Sequence, residues 1–185
     1  SITTSTRSIG SSINLFQFAR IPKTVFATSS ALTNYVLALI SLSCLIPFFY
    51  IHNLPISLHL FLVPFWLVLI SFTGWAIGLM LAPLACKIPD VNNVVNFLVR
   101  AGFFLSPVMW TYDMFSKRFG AGWHSVLAHM NPTVVPITKM RDAILGESSS
   151  IPDYGYIMCF SLAIITYTLG SIIFERKAHR AVVNV

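Results

Sequence analysis

Residues 24–86 contain no Asp, Glu, Lys or Arg. A soluble domain draws about a quarter of its residues from those four types, so a run of this kind folds only where water is not the solvent. Crossing hydrocarbon as a helix takes about 20 mainly apolar residues. This run holds two crossings, joined by the short polar turn HNLPIS at residues 52–57. A second uncharged run, residues 154–174, holds one more. Composition agrees, with 56% hydrophobic residues, 10% charged residues and a mean hydropathy of +0.76. Because backbone polar groups in lipid must be satisfied within the segment, the expected fold is all-α. The chain reads as a polytopic helical membrane protein with a single transmembrane domain over residues 1–185.

Taken in order, residues 8–20 (SIGSSINLFQFAR) place Ile9, Ile13 and Phe16 on one face of a short amphipathic helix that ends before Pro22. Such a helix either touches a cytosolic partner or anchors on the membrane surface, and pattern leaves both open. Four membrane helices are expected, at 25–50, 58–85, 91–112 and 154–174. The second carries Gly74 and Gly78, a spacing that lets helix backbones approach closely. Residues 113–153 are punctuated by Gly120, Gly122, Pro132, Pro136 and Gly146 and hold two apolar stretches too short to span. They are expected to form outer re-entrant or interfacial helices.

A net charge of +6 in a soluble protein would suggest nucleic acid; here its distribution reports topology instead, and no nucleic-acid partner is expected. Arg7, Arg20, Lys23, Lys87, Arg176, Lys177 and Arg180 fall on one side of the predicted crossings, against Asp90 and Glu175. Lys117, Arg118, Lys139 and Arg141 fall on the other, balanced by Asp113, Asp142, Glu147 and Asp153. The positive-inside rule therefore places both termini of this chain in the cytosol.

The helix at 91–112 is the unusual one. Asn93, Asn96, Arg100, Phe103 and Pro107 recur every three or four residues and share one face. With a start near Val91, Arg100 lies on the order of 15 Å along the helix at ~1.5 Å per residue. An arginine at such depth costs roughly 2.5 to 3.5 kcal/mol on insertion scales unless it finds water or a partner. Either this face lines an aqueous path, or the helix starts below the membrane and Arg100 sits at the inner interface. Both readings keep it off lipid tails.

Other chemistries are poorly served. Cys44, Cys86 and Cys159 lack CxxC spacing and read as small core residues. His52 and His59 flank the predicted hairpin, and His124 and His129 lie in the outer segment. They form no HExxH and are expected to be solvated, so no metal site and no catalytic residue is assigned. No GxSxG or GxxxxGK[ST] sequence occurs; ATP would be bound by a partner and no cofactor by this chain. The polar N-terminus lacks the apolar core of a cleavable signal peptide, and a chain opening on Ser1 is expected to be a fragment or a processed form.

The order KIPDV, FLVRAGFFLSPVMW, NPTVVPITKMRDAILG and then an apolar crossing with a basic tail resembles the permease subunit of type 2 ATP-binding-cassette exporters. The similarity is greatest to the branch exporting lipid-linked polysaccharides such as O-antigen, teichoic acid or capsule. Pro89, Asp90 and Val91 stand where that branch commonly has Arg-Asp-Val, so its arginine is absent. Ser106, Pro107, Val108 and Trp110 match the end of its fifth helix, and Asn131, Pro132 and Arg141 match its outer Asn-Pro segment. Asn14, Leu15 and Pro22 match the entry to its third helix.

The resemblance implies the C-terminal part of a six-helix permease, paired as a homodimer, resting on a separate ABC ATPase subunit and embedded in the lipid bilayer of a bacterial plasma (inner) membrane. It implies ATPase coupling through Asn14, Leu15, Phe16 and Arg20, with Lys87 and Asp90 as a second contact. A translocation path for a lipid-linked glycan would run along Asn93, Asn96, Arg100, Phe103, Phe104, Pro107 and Trp110. The outer aromatics either stack on sugar rings or form the belt found at membrane interfaces. Competing readings are a permease for a small hydrophobic drug or lipid, and a truncated, non-transporting membrane scaffold.

Overall fold

The computed structural model describes residues 2–3, 24–51, 58–88, 90–120 and 123–183. The expected amphipathic helix, with Asn14, Leu15, Phe16 and Arg20, lies outside the described residues, as does the turn at 52–57. All regular elements among the described residues are helical, as the uncharged runs require. They are α1 (Thr24–Ser43), α2 (Ile46–Ile51), a 3₁₀ turn (Leu58–Leu62), α3 (Val63–Lys87), α4 (Val91–Leu105), α5 (Tyr112–Phe119), α6 (Trp123–His129), α7 (Val134–Leu145) and α8 (Asp153–Val183).

Among the described residues, two segments, His59–Ala85 and Asp153–Arg176, are long and apolar enough to cross a membrane. The expected crossing at 25–50 is two helices, α1 and α2, parted by a turn at Cys44 and Leu45 before Pro47. The expected crossing at 91–112 is a 15-residue helix followed by a turn. At ~1.5 Å per residue α4 reaches roughly 22 Å, against about 30 Å of hydrocarbon.

The chain divides into two compact units. In the first, formed by Ser1–Tyr35, Ser71–Ala101 and Ile164–Val185, the buried side of α3 is built from small residues. Ala76, Ala82 and Ala85 are buried together with Thr73 and Leu79, and Phe174 of α8 is buried in the same unit. The closest approach comes at Gly170, where an added Cβ would stand 2.6 Å from the Ala76 carbonyl oxygen. Gly74 and Gly78 are buried on the same helix. Close backbone approach therefore occurs on α3, as small-residue spacing in membrane helices favours.

The second unit, Val36–Ile70 and Gly102–Ala163, contains the segment 113–153. Its core joins Tyr112, Val135, Ile151 and Cys159, with Trp66, Leu69 and Tyr156 packed against them. Among the described residues, three short helices, α5, α6 and α7, lie within 112–145. Thr111 caps α5 by accepting from the Met114 N–H at 3.2 Å, and Asp113 in the first turn with Lys117 and Arg118 in the last match the helix dipole. Gly146, at φ 71°, ψ 19°, terminates α7 in the left-handed conformation that glycine adopts without penalty. Beyond it, Asp142 draws the chain back, accepting from the Ser149 hydroxyl at 2.7 Å and the Ser149 N–H at 3.1 Å. Lys139 completes this closure with a salt bridge to Asp142 at 3.3 Å.

Candidate functional site

The end of α4 and the start of α7 are tied together through the residues on which the family resemblance rests. α4 stops because Pro107 has no N–H to offer the helix ladder. The hydroxyl of Ser106 folds back onto the Gly102 carbonyl at 2.8 Å and lies 3.0 Å from the Thr133 hydroxyl. Asn131 holds Thr133 in turn, its Oδ1 accepting from the Thr133 N–H at 3.1 Å and the Thr133 hydroxyl at 2.8 Å. This side-chain mimic of a turn is what an Asn before Pro132 supplies.

Arg141, on the helix that follows, reaches back to the turn after α4. Its Nη1 donates to the Trp110 carbonyl and its Nη2 to the Val108 carbonyl, each at 3.0 Å. A guanidinium presents its donors in a fixed planar fork and so can hold two carbonyls at once. Ser106, Pro107, Trp110, Asn131, Pro132 and Arg141 thus form one latch, drawn from separate stretches of the sequence.

The α4 face has a different character. Asn93, Arg100, Phe103 and Phe104 are exposed and Asn96 is half-buried, while Val95 is the one buried residue of α4. Pro107 is buried and Trp110 is half-buried, its ring 5.2 Å from Phe115. The structure therefore separates the predicted path residues into a largely exposed set on α4, Asn93, Asn96, Arg100, Phe103 and Phe104, and latch residues at its end. Asp90 is exposed, and the side chain of Lys87 lies outside the described residues.

One histidine departs from expectation. His129, expected to be solvated, is 1% exposed. Its Nδ1 lies 2.7 Å from the Ser125 carbonyl, which only accepts, so the proton sits on Nδ1. Tyr112 and Tyr154 stand edge-on to the ring at 5.3 and 5.4 Å. The Ser125 hydroxyl bridges the two tyrosine hydroxyls at 3.0 and 2.6 Å. Spacing does not reveal this, because the burial comes from α5 and α8 closing over α6. His124 is exposed, as expected.

No group of His, Cys, Asp and Glu suited to a metal ion occurs among the described residues. The arrangement ties the end of α4 to the start of α7 and leaves Asn93 and Arg100 exposed on α4 beside exposed Phe97, Leu98 and Val99. Among the described residues, two apolar spans accompany a latched segment at the end of α4, as in an integral membrane protein. A family profile described as ABC-2 type transporter matches residues 2–145, and the chain belongs to that membrane-domain family. Members are transport subunits that work with an ATPase partner and are not themselves catalytic. No curated protein matches the chain.

Proposed function

We propose that this chain is the permease of an exporter for a lipid-linked polysaccharide or related glycoconjugate, working as a homodimer in a bacterial plasma membrane with both termini cytosolic. The observation that carries this reading is α4. A helix that exposes Asn93 and Arg100 while burying only Val95 in its own chain is suited to line a wet path. Residues 25–50, 58–85, 91–112 and 154–174 serve as crossings in this reading, and 113–153 as the outer segment at the exit. Arg100 would meet the diphosphate of the lipid carrier through charge-assisted hydrogen bonds. Residues 8–20, with Lys87 and Asp90, would meet the ATPase.

The reading is tested by co-purification with an ABC ATPase, followed by ATP hydrolysis in a membrane with and without lipid-linked glycan. Stimulation by the glycan, lost in Arg100→Gln, is expected. Stimulation by hydrophobic drugs alone would favour the drug permease, and failure to bind any ATPase would favour a scaffold.

A further inference from the structure

Helix α6 is turned inside out for a helix in water. Its Ser125 and His129 side chains are buried, served by the Tyr112 and Tyr154 hydroxyls and by the Ser125 carbonyl. Trp123, Val126 and Leu127, with Met130 just past the helix end, recur at steps of three or four residues and share the opposite face. All four are exposed, Trp123 by 81%. A surface helix in water buries its apolar stripe and exposes its polar one. A stripe exposed in this way is built to meet a second apolar phase, either lipid or protein.

The charge beside the stripe favours lipid. The rings of Phe119 and His124 lie 5.4 Å apart, so the end of α5 lies against the start of α6. At that end Lys117 and Arg118 are exposed, and neither is paired with a carboxylate among the described residues. Residues 114–141 contain no Asp or Glu. Unpaired cations and an indole thus stand at one end of the stripe, and Val126, Leu127 and Met130 continue it. That is the layout of a helix lying in a bilayer interface. Its cations meet lipid phosphates, its indole sits at headgroup level, and its aliphatic side chains enter about 5–10 Å into the acyl boundary. The buried centre of a protein–protein contact is, by contrast, depleted in lysine.

We propose that α5 and α6 form a docking surface for an anionic bilayer leaflet, with Lys117 and Arg118 holding the phosphate of phosphatidylglycerol while Trp123, Val126, Leu127 and Met130 enter its acyl boundary. The inference rests on the membrane placement in the proposed function but not on transport, so the test needs no ATPase.

The full chain is reconstituted in nanodiscs of equal parts phosphatidylcholine and phosphatidylglycerol. Lipids brominated near the glycerol end of the acyl chain quench indoles at that depth. The difference in emission between the wild-type chain and Trp123→Phe isolates Trp123, and its quenching is expected. After stripping with detergent, native mass spectrometry should find phosphatidylglycerol retained over phosphatidylcholine by roughly three- to tenfold. The preference should fall to parity in the double variant Lys117→Gln, Arg118→Gln, and a melting curve shows that this variant is folded. Unquenched Trp123, equal retention by the wild-type chain, or a preference that survives in the folded double variant would overturn the proposal. So would efficient disulfide cross-linking of Leu127→Cys between two copies, which would give the stripe to a second chain. A chain that stays in carbonate-washed membranes yet fails these readouts defeats this proposal alone; a chain released by carbonate defeats the membrane placement as well.

Discussion

The ring of His129 occupies the place a side chain at Gly155 would need: a Cβ there would lie 2.5 Å from Cδ2 and 2.6 Å from Nε2. The ring cannot retreat, because Tyr112 and Tyr154 stand edge-on to it and its Nδ1 is held by the Ser125 carbonyl. Gly155→Ala should therefore destabilise the second unit by about 1–3 kcal/mol, the usual range for overpacking. In a detergent melt, His129→Ala combined with Gly155→Ala should be markedly more stable than the sum of the single effects, since the two residues contend for one volume. Strict additivity would refute the contact.

Gly170 offers no such rescue. The atom its Cβ would meet is the backbone oxygen of Ala76, at 2.6 Å, and a backbone cannot rotate aside. Gly170→Val should force the two helices apart and lower the melting temperature, by a larger margin than the same change at Gly102, where nothing lies within 4 Å.

Arg141→Lys keeps the charge and loses the fork. One ammonium does not reproduce the paired reach to the Trp110 and Val108 carbonyls. The expected cost is small, about 1 kcal/mol, because part of the site is open to solvent. Faster hydrogen exchange confined to residues 106–112, with the rest of the chain unchanged, is the signature to look for.

Alkaline pH should loosen the closure beyond α7 before it disturbs the spans. Burial opposes the charge on Lys139, but hydrogen bonds to Tyr156 and Asp142 outweigh it and raise that pKa above the ordinary 10.5. The folded value thus exceeds the unfolded one. Its stabilisation is fully present below the unfolded value and is lost as pH rises through the folded one. Melting followed from neutral pH to above 11 should show the Lys139-dependent stability, read as the difference from Lys139→Met, falling only beyond about pH 10. A loss already complete near neutrality would contradict this.

Much of the helical scaffold is legible in the sequence because charge is so strongly excluded from lipid. Residues 58–85 and 154–174 stand out as spans by their lack of charge, and α3 and α8 occupy those places. Pro107 marks the end of α4 because proline cannot continue a helix ladder. Residues 113–153 are harder. Their third helix, α7, opens on Thr133 without a side-chain cap bond and carries Pro136 in its early turns, so its start gives a weak local signal. The pairing of Arg141 with the turn after α4 and the burial of His129 depend on partners far along the chain. Hydrophobic periodicity reports which face of a helix is apolar; it does not report which distant element covers a polar one.

The sparse burial of α4 has a consequence for the cell. Only Val95 of α4 is buried, which leaves Asn93 and Arg100 to water in the proposed path or to a second subunit. With 91–112 as a crossing, as proposed, an unassembled copy carries in the membrane polar groups of the kind by which quality-control proteases recognise damage. In the proposed homodimer, folding and assembly are then coupled, and a copy left without its partner is expected to be cleared as an orphan subunit.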